Sequence, residues 1–389
     1  MYPIPDTLSE NIGAPSIKAR LTRWRSPPSL AEGAPSALRI AQIAPLFEAV
    51  PPKLYGGTER VVSSLTEALV ELGHDVTLFA SGDSVTSAKL DAPWPRALRL
   101  DPDIRDWVSA YALLIEYVRQ RAHLFDVLHF HIDYWPNSVF LRQDVPFLTT
   151  LHGRLDLPEL AAVYRMFPNV PLVSISDSQR KPLADVGWAA TIHHGMPEHL
   201  LAPIDVANRD YFAFLGRISP EKGIEQAIQI ASRCGARLKV AAKVDKADAE
   251  YFKESVEPLL ADANVDFIGE INDSQKPAFL SGARALLFPI DWPEPFGLVM
   301  IEAMACGCPI IAMRRGSVPE VIDHRITGFV VDSVDEMVAA CERVDELDRS
   351  RVRAQFEKRF TSRRMAEEYL SLYRRLIAAR QPQLRAVAD

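Results

Sequence analysis

Apolar positions along this chain switch between two spacings, and the switches mark its elements. Leu38, Ile40, Ala41, Ile43 and Ala44 form a short, almost unbroken apolar run ended by Pro45, the pattern of a strand covered on both faces. After Gly56-Gly57-Thr58 the spacing changes. Val61, Val62, Leu65, Ala68, Leu69 and Leu72 recur at helical intervals, and Gly73 stands where a helix C-terminal glycine belongs. Asp75–Ala80 then reads as a second strand. The three pieces make one βαβ unit, which must wind right-handed. The alternation continues with strand-like runs at Asp126–His131, Pro146–Leu151, Pro171–Ser176 and Ala189–His193. A second series follows at Tyr211–Leu215, Arg237–Ala242, Val265–Ile268, Ala285–Phe288, Pro309–Ala312 and Gly328–Val331.

Two consecutive series of this kind predict an α/β chain of two doubly wound, Rossmann-like domains facing each other across a cleft. The interruption by Pro197, Pro203 and Asn208 places the join near 197–209. The expected division is an N-terminal extension over 1–37, a first domain over 38–198 and a second over 199–361. A terminal segment, 362–389, carries Met365, Tyr369, Leu370, Tyr373 and Leu376 at helical spacing. Open parallel sheets bind ligands beyond the carboxyl ends of their strands, so chemistry is sought just after the strand runs.

The length of 389 residues suits two domains, and the net charge of −7 argues against a nucleic-acid partner. No run reaches the ~20 apolar residues of a membrane span, and the N-terminus lacks a signal-peptide pattern. A cytoplasmic location is therefore expected. Residues 17–25 interleave Lys18, Arg20, Arg23 and Arg25 with Ile17, Leu21 and Trp24, so a peripheral membrane contact there is one reading. Because prolines follow closely, a flexible extension is the preferred one. Cys234, Cys306, Cys308 and Cys341 show no paired metal-ligand spacing and read as buried thiols.

The sharpest candidate chemistry lies in Gly216-Arg217-Ile218-Ser219-Pro220-Glu221-Lys222-Gly223. Ser219 is a candidate N-cap with Pro220 at the first helical position, which would set Arg217 and Lys222 around one helix N-terminus. Two cations with free backbone N–H groups suit a diphosphate. A second run spans Glu294-Pro295-Phe296-Gly297-Leu298-Val299 and continues to Glu302 and Gly307. Pro295 biases Glu294 toward an extended conformation aimed into the cleft, and the N–H groups of Phe296 to Val299 open the next helix. Glu302 sits on an otherwise apolar helix, where a carboxylate needs a partner such as the paired hydroxyls of a ribose. Gly57 opens the first helix, where a missing Cβ lets a phosphate approach the backbone. His152 in Leu151-His152-Gly153 ends a strand at the cleft edge, although a lone histidine is more often structural. His129 and His131 share a strand face, but with no third ligand nearby they read as structural too. Asp101-Pro102-Asp103 lies far from the other motifs, and no metal site or cofactor is expected.

Together these runs, with Gly56-Gly57-Thr58-Glu59 and His152-Gly153, resemble the retaining glycosyltransferases of family four across about residues 38–379. The resemblance implies the GT-B fold and a nucleotide-sugar donor. By it, Arg217 and Lys222 would neutralise the donor diphosphate, Glu294 would hold the transferred sugar and Glu302 the ribose. The backbone of Gly57 would meet the phosphates, and His152 would face the reacting centre. Gly216, Phe296, Gly297, Leu298 and Val299 complete the expected donor site. Glu320 falls in Arg315-Gly316-Ser317-Val318-Pro319-Glu320, where the family often has Gly-Gly-x-Pro-Glu, and its role stays open. The terminal helix would cross back onto the first domain.

The expected reaction is metal-independent hexosyl transfer with retention, from a UDP-sugar such as UDP-glucose or from GDP-mannose. The acceptor would be a glycan, a lipid or a small molecule. A nucleotide-sugar epimerase of the same fold would need acid and base groups around the sugar, and a phosphorylase a cofactor or free phosphate. A carbohydrate-binding protein that has lost catalysis would lack one of the two cations or two carboxylates.

Overall fold

The computed structural model describes residues 37–53, 56–261 and 264–385. Residues 17–25, where a membrane contact was one reading, lie outside them. The first sheet contains β1 (Arg39–Ile43), β2 (Asp75–Ser81), β3 (Lys89–Trp94), β4 (Val127–Phe130), β5 (Phe147–Thr150), β6 (Leu172–Ser174) and β7 (Trp188–Thr191). The second contains β8 (Tyr211–Ile218), β9 (Arg237–Val244), β10 (Val265–Gly269), β11 (Ala283–Phe288), β12 (Ile310–Met313) and β13 (Gly328–Val331). Their orders are β3-β2-β1-β4-β5-β6-β7 and β10-β9-β8-β11-β12-β13. The described pairings in both sheets are parallel. The fold is two doubly wound α/β domains, as the two series of runs predict.

Strand addition reverses between β1 and β4 and again between β8 and β11, so each domain opens a crevice at the carboxyl ends of those strands. Both faces of each sheet are covered, which is why the central strands read as unbroken apolar runs. Ala41, Ile43, Phe79 and Phe130 pack on one face of the first sheet, and Leu38, Ile40, Val76 and Val127 on the other. The strand β3 is absent from the sequence reading. It lies at the sheet edge, is only partly buried and contains Pro93, so neither alternation nor an apolar run marks it.

The chain crosses between the sheets twice, side by side. Met196 N donates to Phe360 O at 3.0 Å and Ser362 N to Met196 O at 2.8 Å. A Cβ at Gly195 would stand 2.3 Å from Thr361 O, so only glycine allows this approach. Arg364 ties the same point, donating from Nη2 to His193 O at 2.8 Å and His194 O at 2.9 Å. The helix Ser362–Arg385 then lays Met365, Tyr369 and Tyr373 against Leu38, Ile40 and Leu65 of the first domain.

Candidate active site

The strand β8 carries Gly216 and Arg217 to its carboxyl end, and the local structure there corrects one expectation. Ser219 makes no side-chain cap, and Pro220–Lys222 forms a short 3₁₀ turn instead of the first turn of an α-helix. The α-helix begins at Ile224, after Gly223 at φ +74°. A Cβ at Gly223 would stand 2.2 Å from the carbonyl oxygen of Pro289, so the turn is set by packing against the next strand's exit. Arg217 and Lys222 therefore flank a strand end and a turn rather than one helix N-terminus. A Cβ at Gly216 would meet nothing within 4 Å, which leaves the backbone open to a ligand.

After β11 the chain turns through Pro289 to Gly297. Glu294 is held by its own backbone: its N donates to Trp292 O at 2.8 Å, and its carbonyl accepts from Ser317 N at 2.9 Å. Gly316 backs this loop at φ +52°, and a Cβ there would lie 2.3 Å from Glu294 O. The glycine retained in Arg315-Gly316 is thus the one that the close approach requires. The buried Glu294 carboxylate accepts from Lys222 Nζ and, at 2.9 Å, from Trp292 Nε1. Lys222 also stands 4.8 Å from the centroid of the Trp292 ring. Gly297, at φ +78°, precedes the helix Leu298–Ala305.

On that helix Glu302 is 5% exposed, and its buried carboxylate has a protein partner. Lys276 Nζ, itself buried, lies 2.6 Å from Glu302 Oε1 and 3.1 Å from Asp273 Oδ1. A carboxylate on this apolar helix needs a partner, and the ion pair with Lys276 is one that offsets its desolvation. Asp273 in turn pairs with Arg60 of the first domain, so the chain of charges crosses the cleft. Arg217 is likewise engaged, with Glu221 at 2.8 Å and Asp248 at 3.6 Å.

The opposite wall belongs to the first domain. Gly57 opens the helix Gly57–Glu71, and a Cβ on it would stand 3.7 Å from Leu298 Cδ1 across the cleft. Glu59, two residues on, is 6% exposed, and burial pushes its carboxyl up to about 7. Glu48 is ion-paired with Arg99. His152 follows β5 and stacks on His194 with ring centroids 5.2 Å apart, while His194 meets the edge of Phe296 at 4.9 Å. Burial pushes His152 down to about 3 and His194 well below the usual imidazole range, so both rings are neutral.

These walls enclose a cavity of about 450 Å³, of the size that holds a small organic ligand. Arg217, Lys222, Glu294, His152, Gly57, Gly216, Phe296, Gly297, Leu298, Val299 and Glu302 all line it. Sequence reasoning missed Glu48, Glu59, Arg99, His194, Lys243 and Lys276, which line it too. Of these only Glu59 and His194 carried a local signal, one beside the Gly56-Gly57 pair and the other at the exit of a strand.

Two family profiles divide the chain between them. Glycosyltransferase Family 4 matches residues 55–202, and Glycosyl transferases group 1 matches residues 204–362. The chain belongs to glycosyltransferase family 4. This glycosyltransferase is 24% identical over 396 residues to the alpha-maltose-1-phosphate synthase of Mycolicibacterium smegmatis, covering 87% of this chain and 100% of that one. Its fold matches that of AviGT4, a glycosyltransferase involved in avilamycin A biosynthesis, with a TM-score of 0.70 and 24% identity over 88% of this chain and 98% of that one. It also matches HepE of Anabaena, solved in complex with UDP-glucose, with a TM-score of 0.66 and 16% identity over 86% and 98%.

Glu320 of the glycosyltransferase, whose role the sequence left open, joins the two domains. Its carboxylate accepts from Asp177 N and Ser178 N, each at 2.7 Å, at the start of a short helix capped by Ser176. Ser176 Oγ also donates to Pro295 O at 2.7 Å, directly beside Glu294. The loop that presents Glu294 is therefore braced from the first domain as well as by Gly316.

Proposed function

We propose that this glycosyltransferase moves a hexosyl group from a nucleotide-sugar, with UDP-glucose favoured and GDP-mannose next, to a hydroxyl of a glycan, lipid or small molecule. The anomeric configuration is retained and no metal takes part. The observation that carries the reading is the convergence of Arg217, Lys222, Glu294 and Glu302 on one cavity between two Rossmann-like domains. The UDP-glucose bound to HepE supports the choice of donor.

Breaking the bond from the anomeric carbon to the diphosphate leaves negative charge on the departing oxygen. Arg217 and Lys222 stabilise it, each well-placed donor contributing about 3–4 kcal/mol in the transition state. Both cations meet carboxylates of the protein, Lys222 that of Glu294 and Arg217 that of Glu221. The diphosphate takes over these cations, which releases the Glu294 carboxylate to the sugar hydroxyls. Glu302, already fixed by Lys276, keeps its second oxygen for the ribose. Gly57 and Gly216 let the phosphates approach the backbone from the two sides. The acceptor attacks from the face that the diphosphate leaves, and the diphosphate takes its proton. His152 stands beside the reacting centre as a neutral hydrogen-bonding group.

No helix among the described residues is long and apolar enough to cross a membrane. We place the enzyme in the cytoplasm.

The test is a panel of nucleotide-sugars incubated with purified protein, followed by proton NMR of the released or transferred sugar. A single donor consumed, with the product first formed as the α-anomer from an α-linked donor, supports retaining transfer. An inverted product refutes retention. Stabilisation by free sugars alone, with no nucleotide-sugar consumed, refutes the transferase reading.

A further inference from the structure

Behind the pocket, buried polar atoms of the first domain and of the terminal helix packed on it form one continuous chain. His152 Nε2 lies 2.9 Å from His131 Nδ1, and His131 Nε2 lies 2.8 Å from Gln42 Oε1. Gln42 Nε2 donates to Tyr373 Oη at 3.1 Å, and that oxygen lies 2.7 Å from His129 Nδ1. His129 Nε2 and Tyr369 Oη both reach Thr150 Oγ1, at 2.7 and 2.8 Å. Gln42, His129 and Thr150 are wholly buried and His131 nearly so, so each atom's role is dictated by its neighbour.

The roles follow from one end. Gln42 Oε1 carries no hydrogen, so His131 Nε2 must be the N–H. A neutral imidazole has one N–H, so His131 Nδ1 accepts and His152 Nε2 donates to it. His152 Nδ1 is then a lone pair, and it has no hydrogen-bond partner. Burial keeps both rings neutral, which is what makes the one-proton count apply.

We propose that Gln42 and His131 are positioning residues that fix His152 as the Nε2–H tautomer, so that Nδ1 offers a hydrogen-bond acceptor to a hydroxyl of the bound sugar. The proposal rests on the donor reading above for the identity of that sugar. Nδ1 is buried and accepts from no protein donor. A Cβ at the neighbouring Gly153 would meet nothing within 4 Å, so open space lies beside this loop. The opposite proton order requires the Gln42 amide turned over, with its NH₂ against His131. Every link then reverses, and His152 Nδ1 carries the proton. The two orders are chemically distinct and can be measured.

The experiment uses the full chain labelled with ¹⁵N-histidine, with two- and three-bond ¹H–¹⁵N correlations to read each ring's tautomer. The His152 signals are assigned by their loss in a His152→Gln variant. The expected result is a proton on Nε2 and none on Nδ1 of His152, and a proton on Nδ1 overturns the proposal. In parallel, Gln42→Met should lower sugar turnover about tenfold, the scale of one neutral hydrogen bond, with UDP affinity unchanged. In Gln42→Met the fixed tautomer should also be lost, with His152 protons found on both Nδ1 and Nε2 in the same correlations. Gln42→Met with full turnover, or with His152 still protonated on Nε2 alone, overturns the positioning role. If Gln42→Met fails to fold, the wild-type tautomer alone decides. Failure of the wild type to bind any nucleotide would instead sink the donor reading, and the tautomer measurement would still stand.

Discussion

Replacing Glu59 by Gln tests the electrostatics of the first-domain wall directly. The Glu59 carboxyl is buried at the start of the helix Gly57–Glu71, and that burial raises its pKa from the ordinary 4.5 to about 7. Below pH 4.5 the folded and unfolded chains both hold this proton, and Glu59 contributes no pH dependence. Between 4.5 and 7 the unfolded chain has released it while the folded chain keeps it, so stability falls as pH rises. Above 7 the loss is complete. At about 1.4 kcal/mol per pH unit, it amounts to about 3 kcal/mol. Glutamine keeps the shape and cannot ionise, so Glu59→Gln should match wild type near pH 4.5 and exceed it increasingly up to pH 8. For a chain of this size, 3 kcal/mol corresponds to roughly 3–6 °C in Tm. Thermal unfolding of both proteins at half-unit steps from pH 4.5 to 8.5 supplies the comparison. An offset in Tm that stays constant across that range would refute the reasoning, because it would mean that Glu59 ionises in the folded protein as it does in water.

Three further outcomes follow from named contacts. Lys276→Met strands the buried Glu302 carboxylate and should cost about 3–5 kcal/mol, whereas Lys276→Met with Glu302→Leu should recover most of it in thermal unfolding. Gly316→Ala forces a Cβ against Glu294 O at a positive φ, so turnover of the donor should fall more than Tm does, as measured on matched samples. Glu320→Ala removes the acceptor of Asp177 N and Ser178 N and should cost about 1 kcal/mol. Limited proteolysis should then cut more rapidly near residues 176–180.

The α/β architecture was legible because apolar spacing reports period, and both sheets are buried on two faces. The edge strand Lys89–Trp94 was not, since an exposed strand with a proline carries no such period. The turn at Ser219–Gly223 was misread for a different reason. Ser-Pro is a fair local signal for a helix start, but the nearby Pro289 carbonyl sets the conformation of Gly223, and that contact lies 66 positions away. Glu302 stood out as a carboxylate needing a partner, yet the sequence could not say that Lys276 supplies one from another helix. Arg99 and Glu48 were invisible for the same reason. Their charges mean little until the loop after β1 brings them together.

The central claim is that Arg217 and Lys222 hold the diphosphate of a nucleotide-sugar. Isothermal titration of UDP into wild type, Arg217→Ala and Lys222→Ala measures this most directly. The account predicts measurable binding by wild type and a loss of at least tenfold in each variant, while the protein remains folded by circular dichroism. Equal UDP affinity in all three would contradict it and move the diphosphate away from the end of β8.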